Sequence, residues 1–335
     1  MKRSVGLLLF GLGVLLLVMA PVVKFAVAPR LVRAPLDINV TLKAGGSGFQ
    51  YLDAKAGAVV PITVDITRHI RGDVAAGNQD VAVYDETLCL TRDDTNQHPG
   101  CLRNDPRIVA NYQDRVAFDR VSGYAVSGAV CGPSGAAECG ASVDGQPVVH
   151  KGLGYKFPMF TEKKDYEYFD TVSKQSWPMV FKGVETREGL QVYRFEQTIT
   201  DAPAMTSGIF PSLYSNVRTL WVEPLTGAVI HGQEQIDQRL TGLATTEPGA
   251  PVRDPALVGK TALKGTLAFT PAADKIQADL ARKGISSITA ITVIVPLGGL
   301  ILGLILVGAG LLLFRTGAAP TASAPRSRPR KPVTV

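Results

Sequence analysis

Residues able to carry out chemistry are few in this chain, and their spacing matches no catalytic or metal site. The four histidines lie far apart and have no cysteine or carboxylate partner at metal-ligand spacing. No G-x-S-x-G, H-E-x-x-H, phosphate-binding loop or dinucleotide fingerprint occurs, and the Gly-Gly-Ser-Gly run at 45–48 is interpreted as a flexible turn. The sequence therefore predicts neither catalytic residues nor a metal or cofactor site, and we do not expect the protein to be an enzyme. The histidines are His69, His98, His150 and His231.

The most distinctive segment, residues 154–170, interleaves aromatic residues with lysines. One interpretation is a surface that meets anionic lipid headgroups or glycans, because lysines attract the charge and rings contact the apolar or sugar portion. The alternative is two strands around a proline turn whose rings fill a core, and residue types alone favour this alternative. The first interpretation gives six candidates for lipid binding: Tyr155, Phe157, Phe160, Lys163, Lys164 and Tyr166.

All four cysteines lie in the central part of the chain. A zinc site would need paired C-x₂-C or nearby histidine ligands, and neither is present. The sequence therefore predicts disulfides, which persist outside the cytoplasm. Four cysteines allow three pairings, and sequence proximity favours Cys89 with Cys101 and Cys131 with Cys139. Each short loop closed in this way would stabilise the fold by ~2–3 kcal/mol.

Two apolar runs enclose these features. Residues 4–23 and 284–314 contain no charged side chain, and ~20 such residues in a helix cross a ~30 Å hydrocarbon layer. A cleaved signal peptide is the alternative for the first run, but its length and the proline after its small-residue site favour an uncleaved anchor. The expected segments are a cytoplasmic end at 1–4, transmembrane helices at 5–27 and 285–314, a central domain at 28–284 and a disordered basic tail at 315–335.

The charge distribution indicates the orientation in the membrane. All 29 acidic residues lie between Asp37 and Asp279, whereas seven of the 35 basic residues lie beyond the apolar runs. The middle of the chain is therefore nearly neutral and lacks the concentrated basic surface that nucleic-acid binding needs. The tail carries five bases and no acid, as cytoplasmic ends commonly do. We expect a two-pass plasma-membrane protein with both termini in the cytoplasm and its main domain outside.

The central domain contains mostly strand patterns. Residues 60–70 alternate apolar and polar side chains, as expected of a strand with one buried face. The predicted fold class is mainly β: an antiparallel β-rich extracytoplasmic domain flanked by N- and C-terminal transmembrane helices. Further elements are predicted as strands at 80–90, 190–200, 217–222, 228–240 and 262–269, a helix at 272–282 with Ile276 and Leu280 on one face, and loops at 91–115 and 132–147.

The second apolar run contains a pattern for close helix packing. Gly299 and Gly303 form G-x-x-x-G, which lets two helix backbones approach each other, and Pro296 suggests a kink. This face is expected either to pack the two spans of one chain together or to contact a second copy. Neither run contains an ionisable residue, so neither by itself resembles an ion path.

Several short motifs follow one another along the second half of the central domain. They are Phe157-Pro158, Glu162-Lys163-Lys164-Asp165-Tyr166, Asp170, Gly189-Leu190, Val192-Tyr193-Arg194-Phe195, Val222-Glu223-Pro224 and Thr226-Gly227. With the N-terminal span, their order and spacing resemble the actinobacterial PorA-type family, and the resemblance covers almost the whole chain. The family name implies a cell-wall channel, and other members of the family are tied to envelope glycolipid and lipoglycan maturation. The layout of two terminal spans around a β-rich domain is also similar to class B scavenger receptors, which bind lipids in a tunnel.

Three functions remain open from the sequence. The main hypothesis is a membrane-anchored envelope protein that handles lipids or glycolipids in an elongated apolar groove or tunnel. The alternatives are a porin-like channel subunit of the cell wall, or a non-catalytic envelope scaffold. The expected partners are membrane lipids or envelope glycolipids, other envelope proteins or further copies of the chain, and no nucleic acid.

Overall fold

A computed structural model describes residues 2–53, 56–92, 105–126, 141–206, 210–241, 245–247, 250–251 and 256–316. The chain divides into two compact units, one formed by residues 32–286 and the other by the two terminal segments. The strands are β1 (Asn39–Asp53), β2 (Ala58–Gly72), β3 (Val81–Arg92), β4 (Ile108–Asp119), β5 (Ser142–Val143), β6 (Gln146–Pro147), β7 (Tyr166–Asp170), β8 (Gln175–Arg187), β9 (Leu190–Thr206), β10 (Phe210–Glu223), β11 (Ala228–Leu240), β12 (Thr245–Glu247), β13 (Ala250–Pro251) and β14 (Thr261–Phe269).

Twelve of these strands form one antiparallel sheet, which confirms the predicted mainly β fold class. Their order is β6-β5-β4-β3-β2-β1-β14-β11-β10-β9-β8-β7, so β14 joins the N-terminal half of the sheet to the C-terminal half. Side chains alternate between the two faces of each strand. The inward positions of β1 and β2, for example, pack Ala44, Phe49, Val64 and Ile66 into one hydrophobic core with Leu267 of β14.

A second connection between the two halves of the sheet is made by the chain segment between β4 and β7. Leu153 bridges to Tyr124 on one side and to Tyr168 of β7 on the other. The Leu153 N–H donates to Glu167 O at 2.7 Å, and the Phe169 N–H donates to Leu153 O at 2.7 Å. Backbone groups that an open sheet would leave unpaired are satisfied here, so the sheet is closed around its interior.

The structure differs from the sequence analysis at β4, at the run 45–48 and at the loop predicted at 132–147, which contains the short strands β5 and β6. Strand β4 occupies Ile108–Asp119, within and beyond the loop predicted at 91–115, because polar residues at its exposed positions hide the alternation. The run at 45–48 is part of β1 rather than a turn, and the register against β2 shifts between Gly46 and Phe49. Gly48 there has a φ of 70°, which glycine adopts without strain.

Helix α3 packs on the outer face of the sheet. It runs Pro271–Thr289, longer than the predicted 272–282. Its alanines, including the fully buried Ala278 and Ala281, lie against Trp221 and Ile230 of the sheet. Small side chains allow this close approach, so the alanine face is buried while Ile276 and Leu280 remain exposed.

The terminal segments form helices α1 (Lys2–Val22), α2 (Ala28–Leu31) and α4 (Val295–Thr316). Two helical stretches, Arg3–Leu31 and Pro271–Thr316, are long and apolar enough to cross a membrane. π-Helical turns occur at Val23–Val27, between Pro21 and Pro29, and at Ala290–Ile294, which ends two residues before Pro296 in the first turn of α4. A proline removes a helix hydrogen bond, so such local irregularity is expected.

Helices α1 and α4 pack antiparallel through glycines spaced seven residues apart. A Cβ at Gly13 would lie 2.8 Å from Gly303 O, and one at Gly6 would lie 2.9 Å from Gly310 O. Gly303 of the predicted G-x-x-x-G pattern therefore packs the two helices of one chain together. Since the helices are antiparallel, Lys2 of α1 and Thr316 of α4 lie at the same end of the pair.

This packing predicts that Gly13→Ala destabilises the helix pair. The new Cβ would lie 2.7 Å from Val307 N, so the backbones must separate, at a cost of about 1–3 kcal/mol. Gly11→Ala is the matched control, since no atom lies within 4 Å of its Cβ position. Thermal unfolding of the full chain in detergent should give a lower midpoint for Gly13→Ala only. Equal midpoints for the two variants would contradict the close packing.

Candidate functional site

A cavity of about 180 Å³ lies inside the closed sheet. Eight of the strands contribute side chains to its wall, because each strand turns alternate residues inward. One part of the wall is apolar and the other carries paired charges and tyrosines. The apolar part includes Leu42, Ala44, Ile66, Leu88, Leu90, Ala110, Val172, Leu220, Ile236, Leu263, Leu267 and Phe269, and the polar part includes Arg68, Glu86, Tyr112, Asp114, Tyr155, Tyr168, Tyr214, Arg218, Glu234 and Gln238.

Arg68 and Glu86 form the first ion pair of the polar wall. Two parallel hydrogen bonds of 2.7 Å join the guanidinium to the carboxylate, and the Tyr112 hydroxyl donates to Glu86 Oε1 at 3.1 Å. Burial by itself would lower the pKa of Arg68, but the Glu86 carboxylate outweighs it and the pKa is raised. Arg68 therefore stays charged, and the pair places a fixed dipole on the cavity wall.

Arg218 is at the centre of a second polar cluster. Its guanidinium donates to Glu234 and to the fully buried Asp170, each at 2.9 Å. A third bond of 2.9 Å reaches the side-chain oxygen of Gln197. Burial opposes ionisation of Glu234, but the adjacent guanidinium prevails and lowers the pKa of that carboxyl. The Arg218–Glu234 pair is therefore held in its charged form.

Asp114 joins the cavity wall to the segment that closes the sheet. Its carboxylate contacts His150 Nε2 at 2.7 Å and accepts a hydrogen bond of 2.8 Å from the Tyr155 hydroxyl. Burial, followed by the nearby Glu86 and Asp114 charges, raises the pKa of Tyr155 well above its ordinary value. The phenol is therefore a neutral donor. Within the described parts of the chain, no cluster of three or more histidine, cysteine or acidic residues could hold a metal.

The six predicted lipid-binding residues do not form one site in the structure. Only Tyr155 lines the cavity. Phe157 and Tyr166 are buried in the hydrophobic core beside Phe195. The other three are at the surface: Phe160 is 52% exposed, Lys163 lies over the Tyr193 ring at 5.5 Å, and Lys164 pairs with Glu162 at 2.6 Å. Their role in lipid binding stays a prediction.

Sequence analysis missed the charged residues of the cavity wall. A signal was present in β2, where the inward alternation of Val64 and Ile66 continues to Arg68. A charged residue at a strand position where the alternation predicts an inward apolar side chain indicates a buried partner or a polar interior. The partner Glu86 lies on β3 and could not be identified before the strands were paired.

The predicted disulfides remain predictions. Cys89 is buried on β3, but Cys101, Cys131 and Cys139 lie outside the described residues.

Lys156, within the aromatic segment, gives a pH-dependent prediction. Its Nζ is shielded from solvent and has no hydrogen-bond partner among the described residues. Burial, only partly offset by Asp119, lowers the pKa of this amine to about 8 from 10.5. The unfolded chain therefore binds more protons between these values, so stability rises as the pH rises through this interval.

Lys156→Met should accordingly raise the free energy of unfolding at pH 7, by up to about 3 kcal/mol. The gain should shrink between pH 8 and 10.5, where the wild-type lysine loses its charge in the folded state. Lys163→Met, at an exposed position of the same segment, should leave stability unchanged. Denaturant unfolding at several pH values measures both variants, and a gain independent of pH would contradict the buried-amine explanation.

Comparison with known proteins places these features in a family. The family model described as "Porin PorA" matches residues 5–312. A protein of Corynebacterium resistens named Porin PorA is 26% identical, with 66% of this chain and 71% of that protein covered. Another Porin PorA, from Corynebacterium amycolatum, is 24% identical, with 70% of this chain and 78% of that protein covered. The chain therefore belongs to the porin PorA family.

Proposed function

We propose that the chain is a channel protein of the cell envelope in which the interior of the closed sheet forms part of the solute path. The cavity with its wall of paired charges is the observation that carries this proposal. Family membership supports it, because two relatives are named porins. Polar and charged groups fixed along a cavity wall can replace part of the hydration of a passing solute.

The apolar helices of one chain offer no such path. Residues 4–23 and 284–314 carry no charged side chain. The helix backbones approach so closely, with a Cβ at Gly13 only 2.7 Å from Val307 N, that no water fits between them at that point. Two helices of this kind cannot enclose water by themselves. A path through the protein therefore requires the sheet interior or several copies of the chain.

The proposed topology follows the charge distribution. Both termini lie in the cytoplasm, as the acid-free basic tail favours. The β-rich unit then lies outside the cytoplasm, where disulfides between the four cysteines would persist.

Planar-bilayer recordings with the purified full chain test the channel. The wild type should give discrete conductance steps. Ala110, exposed and part of the cavity wall, offers a position to fill. Ala110→Trp should lower the step size by about twofold or more, because an indole would occupy the space. Asn111→Trp is the matched control, since the next residue of a strand points to the opposite face.

The recordings distinguish whether the protein forms a channel at all from whether the cavity is the solute path. Absence of steps in the wild type would reject the channel function. Steps of equal size in the wild type and in Ala110→Trp would show that solute does not pass through the cavity.

A second function, the binding of an amphiphile, is favoured by the composition of the cavity wall. Apolar side chains such as Leu88, Leu263 and Leu267 cover one part, and ion pairs lie in the other. An apolar chain placed there would gain ~0.8 kcal/mol per buried CH₂. Its polar end would meet the Arg68–Glu86 or Arg218 groups.

For this function, mass spectrometry of the mildly purified full chain should find a co-purifying amphiphile. Ala110→Trp should lose most of it, and Asn111→Trp should retain it. A wild-type protein without any bound amphiphile would contradict the binding function while leaving the channel proposal intact.

A further inference from the structure

Two loops contact the first and the last residues of the β-rich unit. At the N-terminal side, the Ala34 N–H donates to Arg120 O at 2.8 Å, and Arg120 Nε donates back to Ala34 O at 2.7 Å. At the C-terminal side, a Cβ at Gly284 of α3 would lie 2.7 Å from Thr226 Cγ2. The first loop therefore anchors the start of the unit, and the turn after β10 contacts the end of the unit.

A third segment connects these two loops through backbone hydrogen bonds. The Met159 N–H donates to Val121 O at 2.9 Å, and the Phe160 N–H donates to Leu225 O at 3.1 Å. The Thr161 N–H adds a bond of 2.7 Å to Pro224 O. Residues 120–124, 156–161 and 224–227 thus form one continuous surface, here named the tether strip, that reaches from Ala34 to Gly284.

Large apolar side chains protrude from the tether strip. Phe160 is 52% exposed, Tyr124 38% and Val121 37%. Phe160 also has a φ of 58°, a left-handed conformation that is strained for a bulky residue. Such strain persists where the surrounding structure enforces it, and it commonly marks a functional position. Here both backbone neighbours of Phe160, Met159 and Thr161, are fixed by hydrogen bonds, and the ring is held outward.

The sequence places a lipid surface close to this strip. Ala34 lies seven residues after position 27, where the predicted first transmembrane helix ends, and Gly284 begins the second charge-free run. Seven residues of extended chain span at most ~25 Å. A bilayer that holds both apolar runs therefore lies within this reach of the N-terminal end of the strip, and the chain enters the second run at the other end.

We propose that the tether strip is a membrane-contact surface that inserts Phe160, Tyr124 and Val121 among lipid headgroups. Aromatic side chains favour the interface between water and hydrocarbon, where an apolar ring and a polar edge are both satisfied. The exposed Lys163 lies two residues beyond the strip and suits an anionic headgroup phosphate. This inference does not depend on the channel proposal, because it concerns the outer surface of the sheet unit and not its interior.

Tryptophan fluorescence of the full chain in nanodiscs tests the contact. Phe160→Trp and Tyr124→Trp each add one reporter at the strip, above the background of the two native tryptophans. Val59→Trp is the matched control, because Val59 is 42% exposed and lies near the opposite end of β2 from Gly72. Gly72 lies close to the start of the unit, since its N–H donates to Ile38 O at 2.8 Å. The separation of thirteen positions between Val59 and Gly72 corresponds to roughly 40 Å of strand.

Nanodiscs with lipids brominated near the headgroup should quench the added emission of Phe160→Trp and Tyr124→Trp and leave that of Val59→Trp unchanged. The emission of both strip reporters should also shift to shorter wavelength on transfer from detergent to nanodiscs. Two results would overturn the proposal: no quenching at either strip position, or equal quenching at position 59. A blue-shifted but unquenched reporter would indicate a protein contact at the strip, and it too would overturn the lipid contact.

Discussion

The structure depends on the backbone pairing that closes the twelve-stranded sheet. Leu153 is bonded to Glu167 and Phe169, and the Ala125 N–H donates to Gly152 O at 2.8 Å, so residues between β4 and β7 bridge the two halves. Gly152 is required there, since its φ is 73° and a Cβ would collide with Glu167. Without this closure, two sheet edges would be unpaired and the charged interior would be open to bulk water.

Because the closed sheet shields its interior from water, the charged side chains inside it depend on one another for stabilisation. Glu86 is 2% exposed and Asp170 is fully buried, and each carboxylate is hydrogen-bonded to an arginine inside the sheet. Removing one partner of such a pair typically costs about 3–5 kcal/mol, whereas replacing both by well-packed apolar groups is often neutral. The presence of the ion pairs on a cavity wall is better explained by a function of the interior than by stability.

The sequence predicted what depends on local pattern and left out what depends on strand pairing. Alternation at 60–70 and at 190–200 identified β2 and β9, and the fold class was correct. Strand β4 was missed because polar residues such as Asn111 and Gln113 occupy its exposed positions. Of the six predicted lipid-binding residues, only Tyr155 lines the cavity. Residues 154–170 contain both core and surface aromatics, and composition alone cannot separate them. The pairing of Arg68 with Glu86 required the register of β2 against β3.

A solute path through the sheet requires that small solutes reach its interior in the folded protein. The reaction of Leu88→Cys, on the cavity wall, with a small hydrophilic thiol reagent in the folded full chain measures this access. We expect labelling above the wild-type background at a rate comparable with that of Val184→Cys, which is exposed on β8. Protection of position 88 in the folded chain, with reaction only after unfolding, would contradict it.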